Sequence, residues 1–133
     1  MKLTKQLWIE LVVEFATFSL LVASITLLWR NNVLLLAIVL VECLFALARW
    51  HERHDVSFLL TLAVFGTLAE IAFTHSGAWQ YANPTLLGIP LWFPLAFGTA
   101  GLTGQRLART TAAVWGTRER SLDLDTSQPT THG

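Results

Sequence analysis

Four glutamates lie within stretches of sequence that are otherwise apolar: Glu10, Glu14, Glu42 and Glu70. No Lys or Arg accompanies them inside those stretches. A carboxylate in the middle of a bilayer costs at least about 2.5 kcal/mol, so it usually faces other helices or takes up a proton. Glu10 follows Trp8 closely, and we interpret it as a solvated charge at a helix end.

Glu14 and Glu42 are expected to be buried carboxylates. At about 1.5 Å per residue, each lies roughly 10–12 Å from the same end of two consecutive antiparallel helices. The spacing therefore predicts that the two carboxyls lie at one depth. There they could share a proton or bind a cation or a lipid hydroxyl. The alternative is that each Glu is neutral and bonds to a hydroxyl or carbonyl of a neighbouring helix.

Glu70 precedes an uncharged loop that is dense in polar and aromatic residues. We predict a ligand-binding site here, at the outer end of the helices. Its candidate residues are Glu70, His75, Trp79, Gln80, Tyr81 and Trp92. The alternative is a well-capped loop with interfacial aromatic residues. A zinc site needs three or four ligands, so one His and one Glu do not predict a metal, and we expect no cofactor.

The composition predicts that these residues lie in a membrane protein. The 133 residues are 53% hydrophobic and only 14% charged, whereas soluble domains carry about 25% charged residues. Nine basic residues balance nine acidic ones, so there is no basic excess for nucleic acid. The single cysteine excludes an internal disulfide.

The hydropathy pattern predicts an all-α integral membrane four-helix bundle over residues 1–116. The expected spans are about 7–29, 33–50, 56–73 and 86–104, since a span needs roughly 20 apolar residues. Pro90 and Pro94 should start or kink the last helix, which we extend to about 115. The polar residues 117–133 should form a disordered cytoplasmic tail. Small residues at Ala96, Ala100 and Gly104, with Gly101 nearby, should mark where the last helix meets its neighbours, and Ala63 and Gly66 should do the same on the third span.

The basic residues predict the orientation. Eight of the nine fall on the side of the termini, and only Arg30 falls on the other side. The positive-inside rule then places the N- and C-termini in the cytoplasm. Four tryptophans at span ends, Trp8, Trp29, Trp50 and Trp79, fit an interfacial aromatic belt. Short loops favour a multi-pass protein of a bacterial inner membrane.

The third and fourth spans contain the pattern G-x-x-Q-Y-x-x-P, followed by W-x-P-x-x-F-x-x-x-G-x-T. It covers Gly77, Gln80, Tyr81, Pro84, Trp92, Pro94, Phe97, Gly101 and Thr103. In this pattern the two spans resemble the Insig family of sterol-sensing membrane proteins. The likeness is dense from Gly66 to Thr103. Family members have six spans, whereas this sequence has room for four.

The resemblance implies a helical bundle around a cavity that a lipid or sterol can enter. It places Trp79, Gln80, Tyr81 and Trp92 near the outer rim of that cavity. A weaker resemblance, through Glu70, Gly77, Tyr81, Gly88 and Pro90, is to the carotenoid hydratase family. That family adds water to polyene ends, and a buried Glu could supply the proton.

Three functions therefore stay open at this point. The first is a non-enzymatic membrane protein that binds a lipid or an isoprenoid or sterol-like molecule in an intramembrane cavity. The second is an accessory subunit that packs against a larger membrane protein complex, or a homo-oligomer. The third is an intramembrane enzyme on a polyene or lipid substrate, with Glu70 and His75 as acid and base.

Overall fold

The computed structural model describes residues 2–126, and within them every regular element is a helix. We number them α1 (Lys2–Leu28), α2 (Asn32–Arg49), α3 (Arg53–Thr61), α4 (Thr67–His75) and α5 (Phe93–Thr126). A π-helical segment, Leu62–Gly66, joins α3 to α4, so that the three form one continuous rod. The loop 76–92 connects this rod to α5.

Within residues 2–126, three helical segments are long and apolar enough to cross a membrane: Lys2–Leu28, Asn32–Arg49 and Arg53–His75. They agree closely with the first three predicted spans. Helix α5 does not contain an apolar stretch that is long enough by the same criterion. It begins only at Phe93, so the apolar residues 86–92 lie outside it, and Gln105 and Arg106 follow within about four turns. Its apolar part is thus shorter than the roughly 20 residues of a full span.

The connections between helices follow from local hydrogen bonds. The Asn31 side chain accepts from the Leu34 N–H at 3.0 Å and so caps the start of α2. Helix α2 ends at Trp50, whose backbone is extended. The Glu52 N–H donates to Asp55 Oδ2 at 3.1 Å, which fixes the first turn of α3.

Helix α5 packs against α1, α2 and the rod α3–α4. Its contact with the rod depends on glycines. A Cβ added at Gly98 would lie 2.7 Å from the Leu59 carbonyl oxygen, and one at Gly101 would lie 2.5 Å from Leu62 Cδ1. In the rod, Gly66 leaves room for the ring of Phe97. The backbones therefore approach closely along this line.

The predicted contact stripe is only partly the observed one. Ala96 is buried in the core, and Gly101, Ala63 and Gly66 lie at the close contact between α5 and the rod, as predicted. A Cβ added at Gly104, however, would have only Phe18 Cε2 near it, at 4.0 Å. The closest approach to backbone is at Gly98, which was not predicted. The prediction followed a four-residue spacing, whereas the contact face is set by how α5 turns toward the rod.

The last helix also extends further than expected. It continues without a break to Thr126, so residues 117–126, for which we expected disorder, are helical. Residues 127–133 lie outside the described residues. The expected disorder of that last stretch is therefore a prediction still.

The close contact at Gly98 can be tested by adding one methyl group. Gly98→Ala should lower the free energy of unfolding by about 1–3 kcal/mol, because the new Cβ meets a backbone oxygen that cannot rotate away. Gly104→Ala is the matched control, since its Cβ makes only an ordinary contact. Both gain the same helix propensity. Unfolding followed by circular dichroism in detergent measures the difference, and equal stabilities would contradict the packing described.

Candidate functional site

The loop between α4 and α5 is anchored to the rest of the protein by two asparagines. Asn32 Nδ2 donates to the Asn83 carbonyl oxygen at 2.9 Å and to Thr85 Oγ1 at 3.0 Å. Asn83 Nδ2 in turn donates to the carbonyl oxygens of Trp29 and Arg30, at 3.2 and 3.0 Å. These bonds hold the loop 76–92 over the α1–α2 connection.

Trp92 closes this network from the core side. Its Nε1 donates to Asn32 Oδ1 at 3.1 Å, and the side chain is 6% exposed. Its ring meets that of Tyr81 edge-on, with 6.5 Å between centroids. Tyr81 also packs on Phe93 at 6.0 Å. The buried aromatic cluster therefore supports Tyr81 from behind.

Glu70 organises the other side of Tyr81. Its Oε1 accepts from the Tyr81 hydroxyl at 2.5 Å and from Trp79 Nε1 at 2.6 Å. One carboxylate oxygen thus fixes two aromatic side chains of the loop.

A pocket of about 390 Å³ lies beside this group, and we call it the loop pocket. Its lining residues are Thr74, His75, Gln80, Tyr81, Pro84, Leu87 and Gly88. Leu87 and Gly88 form a tight turn in which both have positive φ, 52° and 83°. Such a backbone is rare for leucine and is typical of strained positions at binding sites.

The structure brings together most of the predicted site residues. His75, Gln80 and Tyr81 line the loop pocket, whereas Glu70, Trp79 and Trp92 hold its wall. It does not join Glu70 to His75. His75 Nδ1 lies 2.9 Å from the Ile71 carbonyl oxygen in its own helix, whereas Glu70 bonds to Trp79 and Tyr81. The proposed acid and base of the enzyme hypothesis, Glu70 and His75, therefore do not bond to each other.

Glu14 and Glu42 are both buried, 1% and 7% exposed, but they do not meet. Glu42 Oε1 accepts from Ser24 Oγ at 2.6 Å, and Glu14 Oε1 accepts from Thr110 Oγ1 at 2.9 Å. Ser24 follows Glu14 by ten residues in α1, about 15 Å along the axis. The expectation of one common depth, and with it the shared proton, is therefore wrong.

The opposite end of the molecule holds a second cluster that the sequence did not reveal. Asp55 is fully buried and accepts from Arg106 Nε at 2.9 Å and from its NH2 at 2.7 Å. Arg106 also contacts Glu52 at 3.2 Å. Glu10, expected to be a solvated charge, forms an ion pair with Arg49. These arginines and acidic residues are far apart in the sequence, and the fold brings them together.

Trp50 lies at the centre of this cluster and is 2% exposed. Arg49 and Arg106 both lie over its ring, 5.8 and 5.7 Å from the centroid. Its Nε1 is 3.4 Å from Glu10 Oε2. Trp50 is thus a packing residue and not part of an exposed belt, unlike Trp8, Trp29 and Trp79, which are exposed.

Two signals in the sequence bear on these networks, one on the Trp50 cluster and one on the loop. Asp55 stands three residues after Glu52, which is the spacing of a capping box at a helix start. Asn31-Asn32 is a pair of residues that readily cap helices and bind loops. Neither signal identifies the partner, because Arg106 and Trp92 are distant along the chain.

A family model described as "Protein of unknown function (DUF817)" matches residues 4–102. The chain belongs to the DUF817 family. The matched stretch contains nearly all of α1, together with α2, the rod and the whole loop pocket, and it ends before Arg106 and Thr110. The comparison gives no support to the resemblances to the Insig and carotenoid hydratase families. No curated protein and no solved structure matches the chain.

The bond between Glu70 and Tyr81 predicts an unusual titration of this DUF817 protein. Burial and the hydrogen bond to Glu70 raise the pKa of Tyr81 well above its ordinary value of 10.0. The chain has one tyrosine, so phenolate absorbance reports this residue alone. In the folded protein, the phenol of Tyr81 should remain un-ionised at pH 10. The neutral phenol contributes its full share of folding stability below the pKa that Tyr81 has in the unfolded chain. That contribution is lost as the pH rises from there through the higher pKa of the folded state.

Two variants separate the causes of that shift. Glu70→Gln removes the carboxylate but leaves the burial, so the pKa of Tyr81 should move part of the way back toward the ordinary value. Trp79→Phe keeps the carboxylate and should leave the titration high. A wild-type protein that is half-ionised at the ordinary tyrosine value while still folded would contradict the described geometry.

Proposed function

We propose that this protein is a non-enzymatic integral membrane protein that binds the polar end of a lipid or isoprenoid in the loop pocket. The observation that carries the proposal is the position of the pocket. It combines polar groups from His75, Gln80 and Tyr81 with apolar residues, at the end of helices that are long and apolar enough to span a membrane.

The size and lining of the pocket support a small polar group. Its volume of about 390 Å³ falls within the range of ligand sites, roughly 300–1,000 Å³. The pocket offers hydrogen-bonding groups but no Lys or Arg among its lining residues. It therefore suits a hydroxyl or other uncharged polar end better than a phosphate, which proteins usually bind with cations.

The surroundings of the pocket support an apolar tail. Leu86 and Leu87 are 65% and 56% exposed on the loop, and Phe73 is 45% exposed at the end of α4. Exposed apolar side chains beside a polar pocket are the arrangement that an amphipathic molecule fits. A bound chain would cover them while its polar end lies against Gln80 and Tyr81.

We further propose that α5 crosses the membrane as the fourth helix of a bundle, with both termini in the cytoplasm of a bacterial cell. Most of the basic residues support this orientation. Arg49, Arg53 and Arg106 lie at the end that holds Trp50, whereas Arg30 lies at the end that holds the loop. The positive-inside rule favours the cytoplasm for the first group.

The lipid proposal is tested by native mass spectrometry of protein extracted in a mild detergent. Wild type should carry a discrete lipid mass. Removing one hydrogen-bonding group, in His75→Ala or Gln80→Ala, should lower the bound fraction by about fivefold. Thr117→Ala is the control, since it removes a hydroxyl that bonds within α5 near the end remote from the loop and does not line the pocket. Equal lipid content in all three variants, or loss in the control alone, would overturn the proposal.

The orientation is tested with single cysteines. Cys43 is the only cysteine and is buried, so Cys43→Ala provides a background without thiols. In that background Ala78→Cys lies on the loop and Ser121→Cys lies near the end of α5. A membrane-impermeant maleimide should label only the first in intact cells and both after permeabilisation. The reverse pattern would contradict the proposed orientation.

A further inference from the structure

An apolar groove runs along the seam between α1 and α5, and we call it the seam groove. The part nearer the Trp50 end has a volume of about 360 Å³ and is lined by Leu11, Val12, Phe15, Leu107 and Thr111. The second part, of about 520 Å³, continues along α1 from the same phenylalanine. It is lined by Phe15, Phe18, Ser19, Val22, Ala23, Thr26 and Leu27.

The walls of the seam groove are accessible from outside the protein. Val12 and Phe15 are 64% and 62% exposed, and Val22 is 48% exposed. Because α1 is long and apolar enough to span a membrane, a groove along its exposed side faces acyl chains. An acyl chain of one leaflet reaches about 15 Å, half of the hydrocarbon thickness of roughly 30 Å. Such a chain fits along the first part of the groove and past Phe15.

The two helices that form the groove run antiparallel, and two contacts fix how they lie side by side. Thr110 Oγ1 donates to Glu14 Oε1 at 2.9 Å. A Cβ added at Gly104 would lie 4.0 Å from Phe18 Cε2. Moving forward along α5 from Gly104 to Thr110 thus corresponds to moving back along α1 from Phe18 to Glu14. The residues before Glu14 and those after Thr110 therefore continue side by side toward the Trp50 end.

A basic residue follows the groove on each of its two walls at that end. Lys5 precedes the groove residue Val12 by seven positions, and Arg118 follows the groove residue Thr111 by seven. Residues seven apart differ by only about 20° around a helix, so each basic residue shares the face of its groove residue, about 10 Å further along. Both side chains are exposed, and neither forms an ion pair within residues 2–126. Two positive charges therefore flank the end of the groove.

Two tryptophans lie between the apolar walls and these charges. Trp8 precedes Phe15 by seven positions and is 52% exposed, and Trp115 follows Thr111 by four and is 65% exposed. Trp115 Nε1 donates to Glu119 Oε1 at 3.2 Å. Tryptophan is enriched at the level of lipid headgroups. The order along the seam is thus apolar wall, tryptophan and cation, which is the order from acyl chain to phosphate in a phospholipid.

We propose that the seam groove binds an anionic phospholipid, with its phosphate between Lys5 and Arg118 and an acyl chain along Val12 and Phe15. The two cations complement the net negative charge of the headgroup, whereas a zwitterionic headgroup has no net charge to offer them. The site is independent of the loop pocket, which lies at the other end of the helices and has no Lys or Arg among its lining residues.

The test measures how brominated lipids quench tryptophan fluorescence of the whole protein in phosphatidylcholine vesicles. Brominated phosphatidylglycerol should bind wild type at least about fivefold more tightly than brominated phosphatidylcholine does, because each cation at the surface favours an anionic lipid. High salt should reduce this preference, since both cations are exposed. Equal quenching by the two lipids in wild type would overturn the proposal without any variant.

Two matched pairs of substitutions locate the site. Lys5→Gln with Arg118→Gln should abolish the preference for phosphatidylglycerol. Arg53→Gln with Arg120→Gln removes the same charge from exposed side chains, but Arg53 belongs to the rod and Arg120 lies about 200° around α5 from Arg118. This control pair should keep the preference, and so should His75→Ala in the loop pocket. A preference that survives the first pair, or that falls equally in both pairs, would refute the assignment.

Two further measurements distinguish other occupants of the groove. Inorganic phosphate at the same concentration should leave the quenching unchanged. Recovery of the fluorescence would reveal an anion site that needs no acyl chain and would overturn the proposal. In native mass spectrometry, wild type should appear as a single chain with phosphatidylglycerol bound. A lipid-free dimer would instead show that a second copy of the chain covers the groove.

Discussion

The ion pair between Asp55 and Arg106 fixes the beginning of the rod against the polar part of α5. Asp55 is 0% exposed, and the guanidinium group meets it with two nitrogens. Removing one partner of a buried pair costs about 3–5 kcal/mol, because the other charge stays buried. Two antiparallel helices joined here by a two-point contact have little freedom to slide along each other.

The close packing further along the same two helices depends on that fixed register. From the ion pair, Leu59 meets Gly98 and Leu62 meets Gly101, and then Gly66 meets Phe97. A glycine permits close approach only where it faces its partner, so a shift by one residue would replace it with a side chain. At the far end, the bond from Trp92 to Asn32 holds the start of α5. Helix α5 is therefore held at its start and again at Arg106, and the loop pocket lies beside the first of these two supports.

The sequence predicted those features that depend on neighbours in the chain. The first three spans follow from runs of apolar residues, and the site loop follows from the run of polar and aromatic residues after Glu70. It did not predict the partners of Asp55 or the burial of Trp50. A tryptophan at a span end has the same sequence pattern whether it faces lipid or packs between two arginines. Only the fold brings Arg106 close to Trp50, so that the ring packs against the guanidinium groups of Arg49 and Arg106.

The different surroundings of Glu14 and Glu42 have a geometric cause that composition cannot express. In every α-helix the Cα–Cβ bonds tilt toward the N-terminus. Helices α1 and α2 run in opposite directions, so Glu14 and Glu42 direct their carboxyls toward opposite ends of the molecule. Glu14 reaches Thr110 and a charged cavity beside Trp50, whereas Glu42 reaches Ser24 within the core. Two residues with the same chemistry thus have different surroundings, since Glu14 lies among the charged groups beside Trp50, whereas Glu42 completes a contact between α1 and α2.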